Sequence, residues 1–196
     1  MPERTSGLSA VTYWTVDEAE KYDSSTVMRK TQTEMTQRIM SELELPPRSL
    51  VLDVGCGTGF SMQTVKQFGC VPVGMDVSFE MLKLAKAKGI RFLVRGDFLR
   101  LPFKEKSFDA LISVSTLQWV AGKTADDIRD QYRTIAKESS RVLRPGGKAG
   151  IQFYPATPTE FEMVKRAFKS AAFGGQVLEE GSGKKLKRYL ILQKKW

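Results

Sequence analysis

Histidine is absent from this chain and cysteine occurs only twice. Without histidine there is no Ser–His or Cys–His nucleophilic pair and no imidazole metal ligand. Any chemistry must come from ligand geometry, carboxylates, Tyr or Lys. Cys56 and Cys70 make no metal-ligand spacing, and the expectation is a reduced, intracellular protein with no metal. No apolar run approaches the ~20 residues of a membrane span, and no signal peptide opens the sequence, so no membrane association is expected. Repeats and low-complexity segments are also missing. Acidic residues are in deficit, 22 against 31 Lys and Arg, for a net charge of +9. That excess favours a polyanionic partner, although a generally basic, solvated surface would produce it too. A chain of 196 residues suits one domain with a small N-terminal extension.

What is present centres on Leu50-Val-Leu-Asp-Val-Gly-Cys-Gly-Thr-Gly59. The apolar run reads as a buried parallel strand, and the alternate glycines Gly55, Gly57 and Gly59 read as a tight turn into a helix. Glycine permits positive φ and lets a ligand approach bare backbone beside the free N–H groups of a helix start. The third glycine comes one residue too early for the dinucleotide pattern G-x-G-x-x-G. Asp53, just ahead of the turn, would repel pyrophosphate; an acid suits a cationic ligand such as the ammonium and sulfonium of S-adenosylmethionine.

Elsewhere the chain alternates strand and helix patterns. Tyr13-Trp14 and Lys21-Tyr22-Asp23 are either a staple holding the N-terminal arm to the core or a lid over a ligand. Met28, Thr31, Met35, Ile39 and Leu43 predict a helix over 26–43, with Arg29 and Gln32 able to reach the ligand. Val71 to Met75 is a second strand ending in Asp76, placed to hold a ribose diol, and Ser78 caps the next helix. Arg91 to Arg95 is a short third strand, followed by Asp97 and Phe98, which suit an adenine amino group and ring. Ala110 to Val114 is the fourth strand. Past it, Ser115, Thr116 and Gln118 are candidates for the acceptor pocket, with Trp119 either core or site. A Thr124–Asp127 capping box, a helix through Val142 and a fifth strand from Lys148 to Phe153 follow. Tyr154 is a core residue or stacks on a base. Thr159 and Glu162 predict another capping box, Gly174-Gly175 the end of that helix, and 176–178 and 186–192 the last two strands. Lys184, Lys185, Lys187 and Arg188 form a basic cluster, either solvated or phosphate-binding.

Five strand–helix alternations and two final strands predict an α/β fold, a doubly wound seven-stranded sheet with an N-terminal helical extension. Residues 1–47 would be the arm and helix, 48–196 the main domain. The glycine turn, Asp76 and Asp97 then fall at the carboxyl ends of three strands, where open α/β sheets bind ligands.

The motif Asp53-Val-Gly-Cys-Gly-Thr-Gly59 is similar to the first motif of the class I, Rossmann-like methyltransferases. With Tyr13-Trp14, Lys21-Tyr22, Gln32 with Met35, Gly74-Met-Asp-Val-Ser78, Gly96-Asp97, Leu101-Pro-Phe103, Ser113-Val-Ser115, Gln118-Trp119, Gln152-Phe-Tyr-Pro155, Phe173-Gly-Gly175 and 184–190, the chain resembles the small-subunit ribosomal RNA (guanine-N7) methyltransferases of ribosome biogenesis. It departs in a shorter loop after Asp97 and in lacking the eukaryotic basic tail, which suggests a compact, prokaryote-type member.

The resemblance implies S-adenosyl-L-methionine as cofactor, held by Gln32, Asp53, Gly55, Cys56, Gly57, Gly59, Asp76, Val77, Met81, Asp97, Phe98 and Ser113. Tyr22, Gln118, Trp119 and Tyr154 would position the acceptor base. It also implies a ribosomal RNA substrate, a cytoplasmic location (nuclear only in a eukaryote), and a small zinc-binding activator subunit at the edge strand near Arg91–Arg95. Two other readings share this sequence: a small-molecule methyltransferase and a non-catalytic assembly factor.

Overall fold

The computed structural model describes residues 10–183 and 186–195; the polar opening and Lys184 and Lys185 of the basic cluster lie outside them. Three helices come first: α1 (Ala10–Tyr13), α2 (Val16–Ser24) and α3 (Thr26–Leu43). There follow β1 (Leu50–Val54), α4 (Phe60–Gln67), β2 (Val71–Asp76), α5 (Phe79–Ala87), β3 (Leu93–Arg95) and β4 (Phe108–Val114). After a short turn of 3-10 helix at Leu117–Trp119 come α6 (Ala125–Val142), β5 (Leu143–Phe153), α7 (Pro158–Ser170), β6 (Phe173–Glu180) and β7 (Lys187–Lys194). All seven strands join one sheet in the order β3-β2-β1-β4-β5-β7-β6. The first five are parallel and β7 runs antiparallel to both neighbours. This is the doubly wound sheet the sequence predicts. The chain winds outward from β1 in both directions, so the crevice opens at the carboxyl ends of β1 and β4.

Strand alternation divides the core. Leu52 and Val54 face the layer of α6 and α7, with Leu111, Tyr132, Ile151 and Phe168. Val51, Ala110 and Ile112 face Met35, Ile39 and Leu43 of α3. Asp53 shares the second face, toward α4. No helix among the described residues is long and apolar enough to cross a membrane.

Local expectations fail in four places. One of the five alternations is missing, because residues 96–107 join β3 to β4 without a helix. Side chains of α6 satisfy that loop instead: Arg141 donates to the carbonyls of Phe103 at 2.7 Å and Leu101 at 2.9 Å, and Glu138 accepts from the Leu101 amide at 2.8 Å. β5 begins at Leu143, opposite Phe108, bulges, and re-enters register with Lys148 opposite Ala110. The α7 cap is Thr157, not Thr159. Its hydroxyl accepts from the Glu160 amide at 3.1 Å and Glu160 accepts from the Ala156 amide at 2.5 Å. Pro158 explains the earlier start, since the first helical position needs no N–H. Lastly, Gly174-Gly175 does not end that helix. Ala172 makes the turn at φ 66°, and both glycines lie in β6, where a Cβ on Gly175 would stand 2.0 Å from the Ile191 carbonyl oxygen of β7. Thr157→Ala should therefore cost about 1 kcal/mol in chemical denaturation. The exposed Thr159→Ala should cost almost nothing.

Candidate active site

A cavity of about 320 Å³ opens at the carboxyl ends of β1, β2 and β4. Its floor is the turn after β1. Gly55 takes φ 79°, and a Cβ there would stand 2.0 Å from Thr116 Oγ1, so the turn passes too close to the loop after β4 for any side chain. Asp76 pins the other side of the turn. Its Oδ2 accepts from the Gly57 amide at 2.8 Å and its Oδ1 from the Ser78 amide at 2.9 Å. Ser78 in turn accepts from the Met81 amide at 3.3 Å and caps α5. Burial raises the Asp76 pKa; the amide hydrogen bonds oppose that rise.

Asp53 lies beneath this floor, 1% exposed. One of its oxygens accepts from the Ser61 hydroxyl of α4. The other, Oδ1, has no hydrogen-bond partner among the described residues. Desolvation pushes the Asp53 pKa up to about 7; the Ser61 hydrogen bond opposes this and the Asp76 charge adds to it.

Nine of the residues expected at the cofactor line the cavity: Gln32, Gly55, Cys56, Gly57, Asp76, Val77, Met81, Asp97 and Phe98. Gly59 and Ser113 do not. Gly59 sits at φ 89° where α4 begins, and a Cβ there would meet Ile90 Cδ1 at 2.0 Å, so its smallness serves packing. Ser113 is fully buried and donates to the Val54 carbonyl at 3.0 Å, tying β4 to β1. The Cys56 thiol is buried, and desolvation, followed by the charges of Asp53 and Asp76, raises its pKa.

Of the residues expected at the acceptor, Tyr22, Gln118 and Trp119 line the cavity, with Ser115 and Thr116. Tyr154 does not; half-buried, its hydroxyl meets Met35 Sδ at 3.6 Å on the α3 side of the sheet. The N-terminal aromatics turn over the cavity. Trp14 lies 5.8 Å from Trp119 and 5.3 Å from Tyr22, Tyr13 lies 5.0 Å from Trp119, and Tyr22 stacks on Phe60 at 5.8 Å. Arg29 sits 5.4 Å over the Phe60 ring and is not a lining residue; Lys88 covers the same ring at 4.5 Å and pairs with Asp23 of α2. The lining residues the sequence did not single out include Ala10 and, from α6, Gln131, which donates to the Ala121 carbonyl at 2.7 Å. Neither carries a local signal. In the basic cluster, Lys187 lies 4.0 Å from Glu34, while Arg188 pairs with Glu179 at 2.7 Å and covers Phe161 at 5.3 Å.

Among the described residues the lining contains no Lys or Arg, while Asp76 and Asp97 line it and Asp53 lies below. Such a site rejects a pyrophosphate and suits a sulfonium-bearing nucleoside. The residues fit S-adenosylmethionine: Asp76 would hold the ribose diol, Asp97 and Phe98 the adenine, and Gln32 with the Gly55–Gly57 backbone the amino-acid end. The unpartnered Asp53 oxygen adds negative potential under the cationic part.

Comparisons with known proteins agree. The methyltransferase domain family matches residues 52–151. An 18S rRNA (guanine-N(7))-methyltransferase of Schizosaccharomyces pombe is 34% identical over 90% of this chain and 68% of its own length. An 18S rRNA (guanine(1575)-N(7))-methyltransferase of Saccharomyces cerevisiae is 34% identical over 88% of this chain and 65% of its own. The chain thus spans about two thirds of these relatives. Among solved structures, an S-adenosylmethionine-dependent methyltransferase from Aquifex aeolicus superposes with a TM-score of 0.70 at 19% identity, covering 92% of this chain and 99% of that one. A chain from the complex between the Haloferax volcanii Trm112 methyltransferase activator and a methyltransferase gives 0.67 at 16% identity, covering 89% and 97%. A cavity built for a cationic nucleoside, on this sheet and with these relatives, places the chain in the S-adenosylmethionine-dependent methyltransferases, within the family of the 18S rRNA (guanine-N7)-methyltransferases.

Proposed function

We propose that this chain methylates N7 of a guanine in small-subunit ribosomal RNA. The observation that carries the reading is a cavity that, among the described residues, is lined by acids and no cations beneath an aromatic roof of Trp14, Tyr22 and Trp119. The cofactor, when bound, supplies a methyl group already activated by the sulfonium. Guanine N7 carries a lone pair and no proton, so this chain needs no general base. Tyr22 is unsuited to be one: burial, then the charges of Asp76, Asp53 and Asp23, raises its phenol pKa and keeps it protonated. What the residues supply is proximity, orientation and exclusion of water. Trp14, Tyr22 and Trp119 offer ring faces to a flat base, and Gln118 offers hydrogen bonds to its edge. In this proposal the N-terminal unit of residues 1–47 covers the cavity through Trp14 and Tyr22, and residues 48–196 form the catalytic unit, working in the cytoplasm, or in the nucleus if the source is a eukaryote.

A small zinc-binding activator would dock at β3, the sheet edge, whose outer side has no strand partner among the described residues. Phe92 beside it is 59% exposed, which supports an interface there. Co-expression with such a subunit should give one peak of about 1:1 stoichiometry by size-exclusion chromatography; separate elution would reject the docking.

The function is tested by transfer of tritiated methyl groups to small-subunit RNA, with the modified nucleotide mapped. Label on a guanine N7 is expected. Turnover on a metabolite with no RNA labelling would favour the small-molecule reading, and no turnover with intact cofactor binding would favour an assembly factor. Replacing Trp119 by Ala should raise the RNA KM or lower kcat at least about tenfold while leaving cofactor affinity within about twofold, since loss of a base-stacking face costs ~1–3 kcal/mol.

A further inference from the structure

Three residues far apart in the chain form a hydrogen-bonded line from the buried sheet to the cavity wall. Gln152, near the end of β5, is fully buried. Its side-chain Oε1 accepts from the Ser115 hydroxyl at 3.1 Å, and its carbonyl accepts from the Ser115 amide at 2.9 Å. Ser115 Oγ accepts in turn from Gln32 Nε2 of α3 at 3.2 Å. Gln32 is only 6% exposed, yet lines the cavity.

The middle residue is held in an unusual backbone state. Ser115 sits at φ 57°, the left-handed region that a residue with a Cβ occupies at a cost of roughly 1 kcal/mol. That conformation, right after β4, directs its hydroxyl to Gln152 on one side and Gln32 on the other. A hydroxyl has one proton. Because Ser115 gives its proton to Gln152, it can only accept from Gln32. Gln32 must then turn its NH2 inward, which leaves its carbonyl oxygen Oε1, without a hydrogen-bond partner among the described residues, for the cavity.

We propose that Gln152 is a positioning residue that acts through Ser115 to fix the amide of Gln32, so that the cavity receives an acceptor and not a donor at this point. The matching ligand group is a donor, and the placement favours the ammonium of the cofactor's amino-acid end. Ser115 adjoins Thr116, whose Oγ1 would lie 2.0 Å from a Cβ on Gly55, so the line ends beside the glycine turn and not among the roof aromatics. Asp53, buried under the same turn, offers a carboxylate that a cation above it would keep ionised. The proposal rests on the cofactor reading above.

The test is calorimetric and needs no turnover. S-adenosylhomocysteine carries the ammonium; 5′-methylthioadenosine has the same nucleoside without it. Gln152→Met keeps length and burial and removes both hydrogen-bonding atoms. Ser115→Gly removes the hydroxyl and suits the positive φ, so it keeps the fold even if Gln152→Met does not. Each should weaken S-adenosylhomocysteine binding about tenfold, the scale of a hydrogen bond to a charged group, and leave 5′-methylthioadenosine within about twofold. Gln32→Ala should show the same selective loss, and Gln32→Ala with Ser115→Gly no more than either alone. Equal losses for both ligands, additive losses, or unchanged binding in Ser115→Gly would overturn the proposal. Failure of the native chain to bind either ligand would instead overturn the cofactor reading.

Discussion

Asp76→Ala should weaken S-adenosylmethionine binding at least about tenfold, and by more if the glycine turn loosens. Hydrogen bonds to a charged group are worth ~1.5–3 kcal/mol, and a carboxylate at the end of β2 is placed to accept two from a ribose. The same carboxylate already accepts the Gly57 and Ser78 amides. It holds the turn and the start of α5 in one geometry while keeping lone pairs for a ligand. Asparagine cannot replace it. With only one acceptor oxygen, Asn would present its NH2 to one of those two amides, so Asp76→Asn should bind about as poorly as Asp76→Ala. Titration calorimetry with the native chain and both variants checks this, with circular dichroism to confirm that they fold. Undiminished affinity in Asp76→Ala would remove the ribose assignment.

Cofactor affinity should also depend on pH through Asp53. Its pKa is raised from 3.8 to about 7, chiefly by burial. In the unliganded fold it therefore holds a proton through much of the range in which the unfolded chain has lost one. Linkage sets the sign: the folded state binds more protons, so stability falls as pH rises from about 4 to about 7, then levels off. A cation on the glycine turn reverses the preference, since an opposite charge favours the carboxylate. Binding should release up to one proton below pH 7, and affinity should fall about tenfold from pH 8 to pH 6. Calorimetry at pH 6 in two buffers of different ionisation enthalpy reads the released proton directly. Asp53→Asn should flatten both the stability profile and most of the binding profile. A pH-independent affinity in the native chain would show that no cation meets the Asp53 field.

These two acids also show how far the sequence alone could reach. Asp53, Asp76 and Asp97 were legible because each ends or interrupts an apolar strand, and parallel strands bring their carboxyl ends together whatever the intervening helices are. Ser113 resembled them in position but faced the other way. Strand alternation turned its hydroxyl into the sheet toward Val54, and a motif cannot report which side of the pleat meets a ligand. Tyr154 failed for a different reason: it shares the Asp53 face of the sheet, but there its ring packs on α3 and its hydroxyl meets Met35 outside the cavity. Thr159 lost to Thr157 because Pro158 sets the helix start, a local signal that was present but outweighed by a better-looking pair.

By itself the sequence determined the sheet, its winding, the glycine turn and the sign of the ligand's charge, because these depend on local periodicity and on residues within one strand–turn–helix unit. The roof of Trp14, Tyr22 and Trp119, the Gln32–Ser115–Gln152 line and the pairing of Asp23 with Lys88 were decided only by tertiary structure. Each joins residues tens of positions apart across elements whose relative placement follows from core packing, and no spacing along a chain encodes a contact between side chains brought together by folding.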